Sequence, residues 1–566
     1  MPRVSPSRAN SDLLDRMPLD AQLVLDIGCG DGALAAAYRR MNPTCRYVGI
    51  EQDLPLAQIA ATRMDQVVVT DVERFTLDFA GQGIDCLVYG DVLTHLRDPW
   101  ALLKAHAAAL SETATVLLCM PNVEHWSFVE HLLRGTWDYD RHGLFDQGHL
   151  RWFSFDTTRR ALADAGLFVT DVTPRIFAPD QVREFSHALR PALEALGIDP
   201  QNYLERSAPL QHVWRARRRP TPHLHVVSSM LVPVGGVSDV RVIEPMRAIA
   251  TDSAILSRVA INAELVDLPV EAPKIFILHR PALVGEAGLE PLRRLMEAGY
   301  VVVCEFDDNP EFIPILQQPD IQNFRAVHAV QTTTEPLAEL LRRENPEVAV
   351  FANAVSCLPD VHNHTDPSRI TLFFGGLNRD EDWPPYIDAL NAVAAVASER
   401  LQFQIVNDRG LFDALDTPHK HFTPLCDYET YRGLLSRSEI SFMPLRDNAF
   451  NRCKSDLKFI EAASCRVTAL ASPTVYRDSI VDGQTGVLFR DPQELRERLI
   501  RLIASPETGR TIGDAARAYV TAERMLAYQV ARRNAWYHSL WNRRQTLTDA
   551  VLARVPQLVR PPEGNA

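Results

Sequence analysis

No two cysteines of this sequence form a CxxC pair. The nine present, Cys29, Cys45, Cys86, Cys119, Cys304, Cys357, Cys426, Cys453 and Cys465, make an odd number. That excludes a zinc ribbon and a closed disulfide framework, and it points to a reducing compartment. The first residues lack the apolar core of a secretory signal, and no apolar run is long enough to span a bilayer. A cytoplasmic protein is expected, with peripheral membrane association left open. Positive charge is also in deficit. Against 72 Asp and Glu stand 59 Lys and Arg, a net charge of −13, which excludes a general attraction to nucleic acid. The basic run Arg215–Arg219 reads as a solvated linker. Short-period repeats and low-complexity tracts are missing too. The 566 residues suggest about three domain-sized units.

What is present starts with Val24-Leu25-Asp26-Ile27-Gly28-Cys29-Gly30-Asp31-Gly32. An apolar strand enters a glycine turn, and residues 33–40 continue as a helix. Glycines let the backbone approach a ligand closely and adopt φ values forbidden to side chains. Glu51 closes the next apolar run, Tyr47–Ile50, and is placed to accept hydrogen bonds from a ribose. The nicotinamide fingerprint G-x-G-x-x-G lacks its third glycine, because Gly28, Gly30 and Gly32 are spaced by two.

Strand patterns at residues 22–27, 46–50, 66–70, 85–89, 115–119, 168–172 and 212–217 alternate with helical ones. Such alternation implies a largely parallel α/β sheet. The charged, proline-broken stretch 217–222 marks a boundary. A second series opens at residues 223–227 and includes 274–278, 300–304, 326–331 and 348–351. A third follows the polar stretch 360–369, with strands at 370–374, 401–406, 440–443 and 467–470. Long helical patterns then run from Pro492 to about Arg544. The expected architecture is α/β, with three Rossmann-like units. Boundaries fall at 1–219, 220–362 and 363–545, and a polar tail covers 546–566.

Over about residues 15–217 the chain resembles class I S-adenosylmethionine-dependent methyltransferases. The resemblance rests on VLDIGCGDG, Glu51, Asp71 and IDCLVYGDVLTHLRDP, which contains Asp91 and His95. It implies a donor site made of Asp26, Gly28, Gly30, Gly32, Glu51, Asp71 and Asp91. Glu51 would take the ribose hydroxyls, and Asp71 would lie near the adenine amino group, since carboxylates accept from both. The segment 121–157 is rich in aromatic and polar residues. Trp126, Trp137, Tyr139, Phe145, Trp152 and Phe153 can line a pocket or form the core of a lid. His142, Asp146, His149 and Arg151 can act on a polar substrate. His149 is the candidate base for a hydroxyl proton and His95 the second.

From about 223 to 545 the chain resembles two-Rossmann, GT-B glycosyltransferases. The quoted segments are Thr371-Leu372-Phe373-Phe374-Gly375-Gly376-Leu377, Ile440-Ser441-Phe442-Met443-Pro444-Leu445 and NRCKSDLKFIEAASCRVTALAS at 451–472, with VYRDSIVDGQTGVLF after them. The resemblance implies a donor site of Gly375, Gly376, Lys454, Ser455, Lys458 and Glu461, in which lysine meets the phosphates and Glu461 meets the ribose or sugar. Cations and helix N-terminal amides stabilise a leaving diphosphate. Lys454 and Lys458, four apart, are expected on one helix face. The chain departs from the family at Cys453, where the first of two glutamates is usual, at Arg466, usually a small glycine, and at Thr468, usually a proline. On the acceptor side stand Gly235, Gly236 and Arg241, and Asp307 with Asp308 at a strand end. No metal is expected.

Together these readings imply a bifunctional enzyme. It would transfer sugar from a UDP- or GDP-linked donor to a glycan or lipid-linked saccharide with retention, and a methyl group from S-adenosylmethionine to a sugar hydroxyl in surface polysaccharide synthesis. Fusion raises the effective concentration of a shared substrate. The alternatives are a methyltransferase carrying a non-catalytic sugar-binding module, and a nucleotide-binding scaffold.

Overall fold

The computed structural model describes residues 9–75, 83–141, 143–233, 236–262, 264–362, 368–377 and 379–559. The chain divides into two compact units: Met1–His223 with Ala250–Ala254, and Leu224–Ile249 with Ile255–Ala566.

The first unit holds a seven-stranded sheet. Its strands are β1 (Leu23–Ile27), β2 (Arg46–Glu51), β3 (Gln66–Val69), β4 (Cys86–Tyr89), β5 (Thr115–Pro121), β6 (Phe168–Arg175) and β7 (Gln211–Arg217), in the order β3-β2-β1-β4-β5-β7-β6. β7 alone runs against its neighbours. β1 and β4 are buried along their whole length, because helices cover both faces of a parallel sheet. Each fully buried Leu, Val or Ile there contributes about 1.5–3 kcal/mol. Register matters for the site. Ile27 lies opposite both Ile50 and Tyr89, so β1, β2 and β4 end level, and Gly28, Glu51 and Asp91 leave one edge together. Strand order reverses between β1 and β4, where open α/β sheets bind ligands.

The second unit contains two six-stranded parallel sheets. One comprises β8 (Leu224–Ser229), β9 (Ile255–Ala260), β10 (Lys274–His279), β11 (Val301–Glu305), β12 (Ala329–Thr332) and β13 (Val348–Val350), ordered β13-β12-β11-β10-β8-β9. The other comprises β14 (Ile370–Gly375), β15 (Leu401–Val406), β16 (Lys420–Thr423), β17 (Ile440–Met443), β18 (Thr468–Ala471) and β19 (Val487–Leu488), ordered β16-β15-β14-β17-β18-β19. The edge strands β9, β16 and β19 carry too few buried residues to stand out in the sequence.

The last helices return to the first of these two sheets. Tyr537, Leu540 and Trp541 of helix Ala527–Asn542 pack with Leu224, Val226, Ile275 and Val301. The first part of the expected polar tail, 546–554, instead belongs to a helix, Arg544–Arg554, whose Leu547 and Val551 are buried, and 560–566 lie outside the described residues. A spacing of four places both on one face, which the surrounding polar residues concealed.

Candidate active sites

In the first unit all three glycines of the β1 turn are left-handed, with φ of 71° at Gly28, 56° at Gly30 and 76° at Gly32. The Gly28 N–H donates to the Ile50 carbonyl at 2.8 Å. A Cβ at Gly28 would lie 2.9 Å from Cβ of Val92, whereas a Cβ at Gly30 would meet nothing within 4 Å. The tip of the turn therefore borders open space. Glu51 faces the turn, accepting from the N–H groups of Gly30 and Asp53, each at 2.9 Å. Each carboxylate oxygen keeps a further lone pair for a ligand. Gly28, Glu51, Asp71, Asp91 and His95 line a cavity of about 500 Å³. Asp26 lies beneath it, accepting from the Tyr47 hydroxyl at 3.0 Å, and burial pushes its carboxyl up to about 7.

A second cavity of about 410 Å³ shares Asp91 and His95 with the first and adds Asp146, His149, Phe177, Leu210 and Gln211. Backbone docking brings the two histidines together. The Leu150 and Arg151 N–H groups donate to the Thr94 carbonyl at 2.8 and 3.0 Å, leaving the His95 and His149 rings 4.8 Å apart. Gly148 permits this, since a Cβ there would stand 3.0 Å from His95 Nδ1. Burial, and then the neighbouring His95, lower the proton affinity of His149. Burial raises that of Asp91, which accepts from Gln211 Nε2 at 2.8 Å.

In the second unit a cavity of about 200 Å³ is bordered by strand ends of both sheets. Arg280, Asp307 and Asp308 come from one side, and Gly375, Gly376, Arg379, Lys454, Ser455, Lys458 and Glu461 from the other. Asp308 accepts from Lys454 at 2.6 Å and from Arg280 at 2.9 Å, while Asp307 accepts from Arg280 at 2.6 Å. Asn353 Nδ2 donates to Ser455 Oγ at 2.7 Å. Lys458 Nζ donates to the Gly375 carbonyl, and burial followed by repulsion from Arg379 pushes it down to about 8. Glu461 accepts from the Tyr428 hydroxyl at 2.7 Å, and burial raises its carboxyl. Four cations and three carboxylates thus meet in one cleft, Arg280 and Lys454 being paired with Asp307 and Asp308; a diphosphate would compete with those aspartates for the cations.

Residues 6–172 match the methyltransferase domain family and residues 389–533 the glycosyl transferase-like family. The chain joins a methyltransferase domain to a glycosyltransferase-like domain. An uncharacterized methyltransferase of Mycobacterium bovis is 38% identical over 89 residues, 15% of this chain and 44% of that protein. The chain therefore spans less than half the length of this relative. The ubiquinone biosynthesis O-methyltransferase of Dinoroseobacter shibae is 27% identical over 175 residues, 30% of this chain and 68% of that protein. Among solved structures, sucrose-phosphate synthase from Thermosynechococcus elongatus is 14% identical, covering 56% of this chain and 100% of its own, with a TM-score of 0.42.

In the methyltransferase domain, Gly28, Glu51, Asp71 and Asp91 border the first cavity, Gly30 and Gly32 shape the turn, and Asp26 supports it from below. The aromatic candidates of segment 121–157 do not border either cavity among the described residues. Trp137 and Phe145 pack with Phe128, Phe153 joins the core, and Trp126 meets Phe185. His142 lies outside the described residues.

In the glycosyltransferase-like domain, Lys454 and Lys458 do not share a helix face. The helix starts at Leu457, and Lys454 sits in the preceding turn, yet both reach the cleft. Arg241 does not line it. Only 3% exposed, it is paired with Glu305 at 2.8 Å and also donates to Asn353 Oδ1. Gly236 is left-handed against Tyr428, and Gly235 lies outside the described residues. Asp307 and Asp308 hold cations of the chain itself, and no group of three His, Cys, Asp or Glu side chains is arranged for a metal among the described residues.

Arg280, Arg379 and Tyr428 were not anticipated. Arg280 follows the buried strand β10 directly, at φ 48°. One usable signal was lysine scarcity. Only five of the 59 basic residues are lysines, and two of those five are Lys454 and Lys458. Among the described residues no helix is long and apolar enough to cross a membrane.

Proposed function

We propose that the chain is a bifunctional transferase of glycan assembly. Its N-terminal domain methylates a sugar hydroxyl, and its C-terminal domain transfers a sugar from a UDP- or GDP-linked donor, with retention, to a glycan or lipid-linked saccharide of a surface polysaccharide. The observation that carries the methyl-transfer reading is the pair of cavities meeting at Asp91 and His95. The glycine turn and open space at Gly30 fit S-adenosylmethionine, with Glu51 and Asp71 holding its ribose and adenine. When bound, that cofactor supplies an electrophilic methyl group. His149, kept neutral by burial, accepts the proton of the acceptor hydroxyl, with His95 beside it. His149→Gln is expected to slow methylation by about 10²–10⁴-fold.

For sugar transfer, Lys454, Lys458, Arg280 and Arg379 stabilise the charge that develops on the departing diphosphate. Glu461, oriented by Tyr428, accepts from donor hydroxyls. The test is calorimetric binding of UDP, GDP and their sugars to the full chain and to Lys454→Ala/Glu461→Ala. Selective binding that the double variant loses is expected. If no nucleotide binds while S-adenosylmethionine does, the sugar-transfer reading falls.

A second reading, a methyltransferase with a non-catalytic sugar-binding module, draws support from one observation. Lys454 and Glu461 are already engaged by Asp308 and Tyr428, and the residue before Lys454 is the buried, uncharged Cys453.

A further inference from the structure

The second cavity of the methyltransferase domain is lined by side chains of both kinds. Asp91, His95, Asp146, His149 and Gln211 are polar, and Leu144, Leu210 and Phe177 are apolar. Phe177 stands out because it borders this cavity while remaining 62% exposed. An exposed aromatic ring that borders a cavity is available to pack against what enters it.

The ring has one cationic neighbour. The Arg175 guanidinium lies 5.1 Å from the Phe177 ring centroid. That guanidinium donates to Asp12 Oδ2 at 2.7 Å and to Gln211 Oε1 at 2.5 Å. Gln211 in turn donates to Asp91 Oδ1 at 2.8 Å. A chain of charge-assisted bonds, Asp12–Arg175–Gln211–Asp91, thus ties the aromatic platform to the carboxylate where the two cavities meet. All of these side chains belong to the first unit.

We propose that Phe177 is a specificity-determining residue: it is the platform on which the acceptor's saccharide ring stacks, while Asp91, Asp146 and Gln211 take that ring's hydroxyls. A pyranose has an apolar C–H face and a hydroxyl-bearing edge, matching a lining that offers an exposed aromatic ring together with polar side chains. The five polar side chains exceed what a single phenolic hydroxyl requires, which favours a sugar over a planar aromatic acceptor. A cavity of about 410 Å³ lies within the usual ligand-site range. Arg175 acts as a positioning residue, linking the platform to Gln211 and through it to Asp91.

This inference rests on the methyl-transfer reading, and its test separates the two. S-adenosylhomocysteine binding is measured by calorimetry on the full chain. Saturation-transfer NMR then follows the methyl glycosides of glucose, mannose, galactose and rhamnose, with catechol as the aromatic probe, in the presence of S-adenosylhomocysteine. At least one glycoside is expected to receive saturation through its ring C–H protons. Phe177→Ala should weaken that binding about tenfold, the size expected for one lost aromatic stack. Phe177→Trp should retain it. S-adenosylhomocysteine affinity and the thermal transition should stay unchanged in both variants, because Phe177 lies outside the donor cavity and is exposed. Binding of catechol with no glycoside, or glycoside binding indifferent to Phe177→Ala, overturns the inference and leaves the donor site standing. Failure of S-adenosylhomocysteine to bind the wild-type protein overturns the methyl-transfer reading itself.

Discussion

Gly28→Ala separates two reasons for a glycine in the β1 turn. The residue sits at φ 71°, and its missing Cβ would stand 2.9 Å from Val92 Cβ. An L-residue in the left-handed region costs about 1–2 kcal/mol. Forcing a methyl group into packed space adds about 1–3 kcal/mol. The sum is about 2–5 kcal/mol, and at about 2–4 °C per kcal/mol the methyltransferase transition should fall by roughly 4–20 °C. Gly30→Ala supplies the control. Its φ is 56° and nothing lies within 4 Å, so only the backbone cost applies, roughly 2–8 °C. Val92→Gly, which removes the facing Cβ, supplies the partner, and the Gly28→Ala/Val92→Gly cycle should show a favourable coupling of about 1–3 kcal/mol. The assay is scanning calorimetry of the full chain, reading the transition that S-adenosylhomocysteine raises. Equal losses for Gly28→Ala and Gly30→Ala, together with no coupling to Val92→Gly, would refute the claim that close approach of β1 to the β4 loop requires Gly28.

Two pH dependences follow from buried basic groups. His106, His125 and His212 are each pushed down to about 4 by burial, so the unfolded chain binds more protons than the native domain between pH 6.5 and 4. Their stability contribution is intact above pH 6.5 and lost as pH falls to about 4, by on the order of 3 kcal/mol each at most. Denaturant midpoints measured from pH 7.5 to 4.5 should fall, and a His106→Phe variant should flatten that slope; an unchanged slope contradicts the assignment. In the other domain Lys458 titrates near 8, so nucleoside diphosphate affinity should drop as pH rises through that value, with up to one proton taken up on binding at pH 9. Calorimetry in buffers of different ionisation enthalpy reads that uptake, and Lys458→Gln should abolish it.

The architecture was legible wherever strands are buried on both faces. Runs such as Leu23–Ile27 and Val301–Glu305 are apolar throughout, since helices cover a parallel sheet on both sides. Edge strands such as Lys420–Thr423 and the helix Arg544–Arg554 were not, because each buries only part of one face, and their mixed composition resembles loop or tail. The turn glycines could be read because nothing but glycine takes three left-handed positions within five residues at little cost.

The sequence alone therefore determined three Rossmann-like sheets, the glycine turn with its facing acid, and the lysine-bearing segment at 451–472, each a local pattern of burial period, turn chemistry and charge. Only the tertiary structure decided which charges are spent and which face a cavity. It sent Arg241 inward to Glu305, set Asp308 against Lys454 across 146 residues, and tied Phe177 through Arg175 and Gln211 to Asp91. Such pairings are set by the order and register of strands far apart in the chain, and local spacing carries no record of them.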